Sequence, residues 1–401
     1  MLDKKMVPEI RFKGFKEDWK ESKIGNFLSI PIEEKVDVNN ASQLLTLGLN
    51  LSGLKNGATK NKLHFGATNY FLRKEGQFIY GKQNFFNGSM AIITPEFDNK
   101  ASSKDVPSFN VNNIDNWFFY YYLARPSFYE KTEDLSLGTG SKRIHENILF
   151  NISIAHPELL EEQKKIRSLI SNLNSIVSFN SIKLNKLRVI KQSLLDKMFA
   201  SYDQKIPEIR FKGFDESWKL NKFSDLYNCS NEKNINIRYT EKNIISVANM
   251  YFKDEQKISN AEYLKSYNIF HLGDIAYEGN KSANYRYGRF VVNTIGPGIV
   301  SHVFEVFKPV MKEYNLYFWK YYINSESIMR NVLRDSTKSA TMMATLVKKD
   351  LSNQFIKITS IAEQQKIGQF FSNLDSLIRS QEQKLEKLNN IKQALLEKMF
   401  C

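Results

Sequence analysis

The chain has 401 residues, 42% hydrophobic and 13% aromatic, with 57 basic and 43 acidic side chains and a net charge of +14. That balance excludes a disordered chain and predicts two or three globular domains. No apolar run of about eighteen residues is present and residues 1–8 lack a signal-peptide core, so a cytoplasmic setting without membrane contact is expected. The excess positive charge must face water, and a polyanion is its natural partner. Two cysteines, Cys229 and Cys401, build neither a disulfide framework nor a zinc site.

The first feature in chain order is Pro8-Glu9-Ile10-Arg11-Phe12-Lys13-Gly14-Phe15, followed by Trp19. The same eight residues return at 207–214, followed at the same distance by Trp218. A unit of this size is much too long for a solenoid repeat, so a domain plus a helix has been duplicated. The middles, roughly 28–155 and 227–358, share almost no identity. A common frame therefore carries two different reading heads.

Within those middles the pattern predicts short strands at 76–80 and 89–93, matched by 273–277 and 288–292. Buried aromatic helices follow at 117–123 and 316–323. After each comes a polar, turn-prone segment, residues 137–144 and 335–341, whose small and basic residues suit a backbone laid close to phosphate. Residues 76–82 have the glycine and lysine spacing of a phosphate-binding loop. Gln83 stands where a magnesium-binding Ser or Thr is needed, however, and the interior reads as a strand.

Each half closes on a long helix without Pro or Gly across its stripe in the first copy. Ile166, Leu169, Ile170, Leu173, Ile176, Val177, Leu184, Leu187, Ile190, Leu194 and Met198 recur at helical spacing. The second copy places Ile367, Phe370, Phe371, Leu374, Leu377, Ile378, Leu385, Leu388, Ile391, Leu395 and Met399 at the matching positions. Two such stripes are expected to bury each other, with a polar layer or heptad slip near Asn180 and Gln381. At 1.5 Å per residue each helix would run about 57 Å, or about 17 base pairs of duplex. A helix pair that only packs the protein together fits the stripes equally well.

Catalytic signatures are missing. No two prolines are adjacent, so the Asn/Asp-Pro-Pro-aromatic motif that holds a flipped adenine is absent. Neither a metal-nuclease signature nor His-Glu-x-x-His occurs among the five histidines, and His145 and Glu146 read as simple neighbours. No catalytic residue, metal or resident cofactor is expected.

The octapeptide with its tryptophan, the Glu-Glu-Gln-Lys-Lys-Ile helix start at 161–166 and the Ile-Lys-Gln-Ser-Leu-Leu ending at 190–195 resemble the specificity (S) subunit of type I restriction-modification systems. The resemblance covers both halves in order. That family usually has a proline-rich run before the first long helix; here residues 155–160 keep only Pro157, and residues 359–362 have none. The resemblance implies an α+β fold: two duplicated α/β target-recognition domains separated by two long antiparallel helices forming a coiled coil, in a pseudo-twofold arrangement. Domain boundaries are expected at 1–158, 159–200, 201–358 and 359–401. It implies a non-catalytic DNA-recognition subunit that binds a bipartite asymmetric site in double-stranded DNA, one half per recognition domain. Its implied partners are two adenine methyltransferase subunits and, through them, two restriction (helicase-nuclease) subunits. S-adenosylmethionine, ATP and magnesium are expected on those partners. A coiled-coil DNA-binding scaffold or regulator without a methyltransferase partner is the alternative.

Base readout is expected from loops after the short strands and from the polar segments. These place Lys82, Gln83, Asn84, Ser141, Lys142 and Arg143 in the first domain, and Asn280, Lys281, Asn284, Arg286, Lys338 and Ser339 in the second. Asn and Gln grip adenine bidentately, Arg and Lys grip guanine, and further lysines contact phosphate. Lys183, Lys186, Lys384 and Lys387, repeated on the two helices, are the expected partner-docking residues.

Overall fold

The computed structural model describes residues 6–57, 68–138, 141–253, 261–339 and 343–401. It forms two compact units, residues 1–181 with 384–401, and residues 182–383. The division falls inside both long helices, Leu160–Lys197 and Ile361–Lys398, each 38 residues long. Each unit therefore holds a recognition domain together with one stretch of either helix.

The first unit is built on a four-stranded antiparallel sheet in the order Leu28–Ser29, Ser108–Val111, Phe78–Tyr80, Met90–Ile92. The second repeats it with Tyr227–Ser230, Glu305–Pro309, Ile275–Glu278 and Arg289–Val292. A two-stranded ribbon stands beside each sheet, Lys20–Lys23 with Ser153–His156, and Lys219–Lys222 with Phe355–Ile358. The central strands Phe78–Tyr80, Met90–Ile92 and Ile275–Glu278 are buried along their whole length. The aromatic helices form where expected, Asn116–Leu123 and Leu316–Tyr322. Asp115 accepts from the Trp117 and Phe118 N–H groups and Asn315 from that of Phe318, so both helices begin with a side-chain cap.

The recurring octapeptide has a structural job. The Arg11 guanidinium donates to both carboxylate oxygens of Glu162 at 2.7 and 2.9 Å, and Arg210 does the same to Glu363 at 2.7 and 2.8 Å. Both glutamates are buried near the start of a long helix. The bidentate guanidinium offsets most of the desolvation of a carboxylate placed there. Next to this pair in the chain, the Ile10 N–H donates to Lys398 O in the first unit, and the Ile209 N–H to Lys197 O in the second. Each octapeptide thus holds the start of one long helix and the end of the other.

Aromatic residues at the helix ends complete both cores. Phe400 packs on Trp19, Phe118 and Tyr122 with ring centroids 6.3, 5.3 and 5.6 Å away. Phe199 occupies the same place against Trp218, Phe318 and Tyr322 at 6.4, 5.8 and 5.6 Å. Burying a phenylalanine removes enough apolar surface to contribute roughly 1.5–3 kcal/mol, which ties each helix end to its domain.

Within the second unit the two helix stretches run antiparallel, joined by Arg188 to Glu382 and Lys191 to Asp375, both at 2.6 Å. The stripes are buried less completely than their spacing predicts. Ile166, Ile170, Leu173, Leu184 and Met198 are buried, but Ile176, Ile190, Leu377 and Ile391 are exposed. Two helices packed on one seam cover a narrower strip than a full amphipathic face. Phe179, Ile182 and Val189 also face solvent, Phe179 with 67% of its surface exposed. Among the described residues no helix is long and apolar enough to cross a membrane.

Candidate nucleic-acid interface

In the first unit the sheet delivers Lys82, Gln83 and Asn84 immediately after the strand Phe78–Tyr80, where the chain turns into a short helical turn at Phe85–Asn87. Gln83 is exposed; Asn84 accepts from the Asn87 amide at 3.1 Å. Ser141, Lys142 and Arg143 lie on a loop closed by reciprocal hydrogen bonds of Leu137 and Arg143, at 3.1 and 3.0 Å. Gly138 opens this loop at a positive φ of 112°, where an added Cβ would sit 2.7 Å from Ser141 O. Thr139 and Gly140 lie outside the described residues.

The tertiary fold brings these two groups together. The Ile144 N–H donates to Lys82 O at 2.8 Å, and the Lys82 N–H to Asp105 O at 2.9 Å. Each basic side chain of the set stands beside a carboxylate: Lys82 with Glu146 at 2.7 Å, Lys142 with Glu133 at 2.7 Å, and Arg143 with Asp105 at 3.6 Å. Arg143 keeps a buried Nε without a hydrogen-bond partner. The Lys142 and Arg143 pairs are about half exposed, where such pairs contribute little, whereas the Lys82 side chain is only 13% exposed. The three acids have no recurring motif in the sequence and are found only by folding it.

The second unit assembles an equivalent surface from different residues. Asn280, Lys281, Asn284 and Arg286 occupy the loop between Ile275–Glu278 and Arg289–Val292, with Asn280, Asn284 and Arg286 exposed. Ser282 and Tyr285 exchange backbone hydrogen bonds at 3.0 and 3.3 Å, which pushes Ala283 and Asn284 to the apex. The segment read as a turn at 335–341 differs in detail. Asp335 and Ser336 end the helix Glu326–Ser336, and Thr337–Ser339 is a strand paired with Ala344–Leu346. Ser336 is fully buried. Lys338 is exposed opposite Thr345, and the Ser339 side chain lies outside the described part. This hairpin runs beside the loop, because Asn280 bridges to Met343 and the Ala344 N–H donates to Gly279 O at 2.8 Å. At Gly279 a Cβ would meet Ala344 O at 2.3 Å, so only glycine allows that approach.

A cavity of about 640 Å³ opens below this loop, lined among others by Asn284, Tyr285, Arg289, Lys320, Asn324 and Asp375. Its cations are already paired, Arg289 with Glu278 at 2.7 Å and Lys320 with Asp375 at 3.0 Å. Of the helix lysines, Lys183, Lys186, Lys384 and Lys387 are all exposed.

Two side chains escaped the sequence reading. Tyr80 is the last residue of its strand and Tyr277 the last but one of the equivalent strand; both are buried, their hydroxyls donating to Ile144 O at 3.0 Å and to Ala344 O at 3.2 Å. Burial raises both phenols well above their ordinary range, so they remain donors at any physiological pH. Their signal was present, since both strands expected from the sequence, 76–80 and 273–277, end in tyrosine, but strand-end aromatics read as core.

Fold and surface together define a duplicated α+β protein that presents a polar, loop-built surface at the same strand end of each copy. The family model of the type I restriction modification DNA specificity domain matches residues 16–189 and again residues 215–390. The chain belongs to that family. Its fold is similar to that of the type I restriction-modification S subunit from M. genitalium, with a TM-score of 0.57, 15% identity and 99% of each chain covered. It is also similar to a chain from a structure concerned with complex assembly and conformational transition of the type I R-M system, with a TM-score of 0.54, 15% identity and coverage of 95% of this chain and 97% of that one.

Proposed function

We propose that this chain is the sequence-reading subunit of a type I restriction-modification complex, binding a bipartite, asymmetric DNA site with one half per recognition domain. The observation that carries this is the pairing, in each unit, of a strand-end loop with a second polar segment. The two surfaces have like frames and unlike side chains: Lys82, Gln83, Asn84, Ser141, Lys142 and Arg143 against Asn280, Lys281, Asn284, Arg286, Lys338 and Ser339. Such surfaces suit two different half-sites, with amides reading adenine, cations reading guanine and the remaining lysines on phosphate. The net charge of +14 supports a polyanionic ligand.

In this reading the chain performs no chemistry. It places a methyltransferase over an adenine that the partner extrudes, and S-adenosylmethionine, ATP and magnesium belong to methyltransferase and restriction subunits. Two methyltransferase subunits dock on the long helices through Lys183, Lys186, Lys384 and Lys387. Exposed Ile182 and Val189 beside the first two of these supply apolar contact area.

Methylation profiling of host DNA, followed by footprinting of the chain with its methyltransferase, tests the proposal. Protection of two separated half-sites flanking an unread gap is expected. A complex that protects DNA without sequence preference, or a methylated motif with a single uninterrupted half, would overturn it.

A further inference from the structure

One backbone arrangement recurs in both units although, apart from a tyrosine, the residues forming it share no sequence pattern. In the first, Tyr80 donates its hydroxyl to Ile144 O at 3.0 Å while the Ile144 N–H donates to the carbonyl two residues past that tyrosine, Lys82 O, at 2.8 Å. In the second, Tyr277 donates to Ala344 O at 3.2 Å while the Ala344 N–H donates to the carbonyl two residues past it, Gly279 O, at 2.8 Å. One residue, Ile144 at the end of the polar segment in the first unit and Ala344 on the hairpin in the second, is thus gripped at both its N–H and its C=O by the end of the central strand.

What the grip holds is the candidate reading surface. Ile144 directly follows Lys142 and Arg143, and Lys82 itself carries the carbonyl that receives it. Ala344 follows Met343, which bridges to Asn280, and pairs across the hairpin with Ser339. In the second unit the one hydroxyl proton is shared between Ala344 O and the nearer Tyr287 O at 2.7 Å, so the same phenol also ties down the far end of the loop that carries Asn284 and Arg286. The phenol adds a second attachment to the backbone bond that joins two segments far apart in sequence into one surface. Base discrimination by bidentate contacts requires donors and acceptors fixed to within a few tenths of an ångström, which a loop held at one point does not supply.

We propose that Tyr80 and Tyr277 are positioning residues for sequence readout, each setting the geometry of one recognition surface independently of the other. The inference rests on the DNA-reading function above. Neither residue touches DNA in this scheme, since both are buried. Tyr→Phe removes the hydroxyl and keeps the ring that fills the core.

The test uses the full chain assembled with its methyltransferase, and duplexes carrying the methylated motif with single base changes in either half. Tyr80→Phe is expected to relax discrimination across one half-site by about five- to tenfold, the scale of one buried hydrogen bond, and to leave the other half unchanged. Tyr277→Phe is expected to do the reverse. Hydrogen exchange of the free chain gives a readout without DNA: the Ile144 amide should exchange faster in Tyr80→Phe, and the Ala344 amide in Tyr277→Phe. Unchanged discrimination in both variants overturns the proposal, as does equal weakening on every duplex with the discrimination intact. A wild-type complex with no sequence preference removes the DNA-reading function itself, and this inference with it.

Discussion

Replacing Arg210 by alanine is the sharpest test of how the recurring octapeptide works. The substitution removes two charge-assisted hydrogen bonds, at 2.7 and 2.8 Å, from a glutamate, Glu363, that is 0% exposed. What remains for the carboxylate is the Thr359 hydroxyl, too little to solvate a full charge. Breaking a buried pair by deleting one partner costs about 3–5 kcal/mol, most of it the desolvation of the charge left behind. Arg11→Ala should cost a comparable amount, because Glu162 likewise keeps a single side-chain donor, the Trp19 indole N–H at 3.4 Å. Converting both members together, Arg210→Met with Glu363→Leu, should cost no more than about 1 kcal/mol, since no buried charge then remains. Urea unfolding followed by tryptophan fluorescence measures this, with Trp19 and Trp218 each buried in one of the two cores. A single substitution costing under about 1 kcal/mol, or a double one as damaging as the single, would refute the account.

Three further outcomes are expected. Burial pushes the Asp274 carboxyl up to about 6 against an ordinary 3.8, so the folded state prefers it protonated and loses stability as pH rises through about 6. Asp274→Asn keeps an acceptor for the His271 N–H and should raise stability at pH 8 by up to about 3 kcal/mol, with no gain below pH 4; a pH-independent effect would contradict this. Burial opposes ionisation of Asp375, yet hydrogen bonds from Lys191, Tyr321 and Lys320 outweigh it and hold the group at about 2, against 3.8. Its stabilisation is therefore present above pH 3.8 and lost as pH falls through about 2, and Asp375→Ala should cost roughly 2 kcal/mol at neutral pH, read by thermal unfolding. Freeing Lys82 and Lys142 with Glu146→Gln and Glu133→Gln should raise affinity for non-specific duplex and steepen its salt dependence, each released cation adding close to one unit of slope. Unchanged salt slopes in a binding titration would show that these cations do not meet phosphate.

Much of the frame was legible in the sequence. Both long helices announce themselves by stripes of eleven matched apolar positions, and the strand and aromatic-helix segments of the two copies fall where short periodic patterns place them. The candidate surface was legible only in part. Loop residues such as Gln83 and Asn284 are readable because polar residues after a strand have nowhere to go but solvent. The acids Glu133, Asp105 and Glu146 were not, because an ion pair between residues brought together by folding leaves no periodic trace. The hairpin at Thr337–Ser339 was read as a turn, since a short polar strand is indistinguishable from a loop until its partner, Ala344–Leu346, is known.

By itself, then, the sequence determined that one frame is used twice and that its middles differ, because duplication is visible in residue identity and helix formation is written in local spacing. Tertiary structure alone decided which ends meet. The octapeptide's arginine reaches a glutamate 151 residues away in the first copy and 153 in the second. Tyr80 reaches Ile144 over 64 residues, and Tyr277 reaches Ala344 over 67. A hydrogen bond carries no information along the chain about its partner, and burial, which makes an unpaired carboxylate or carbonyl costly, is what selects the one arrangement that satisfies them all.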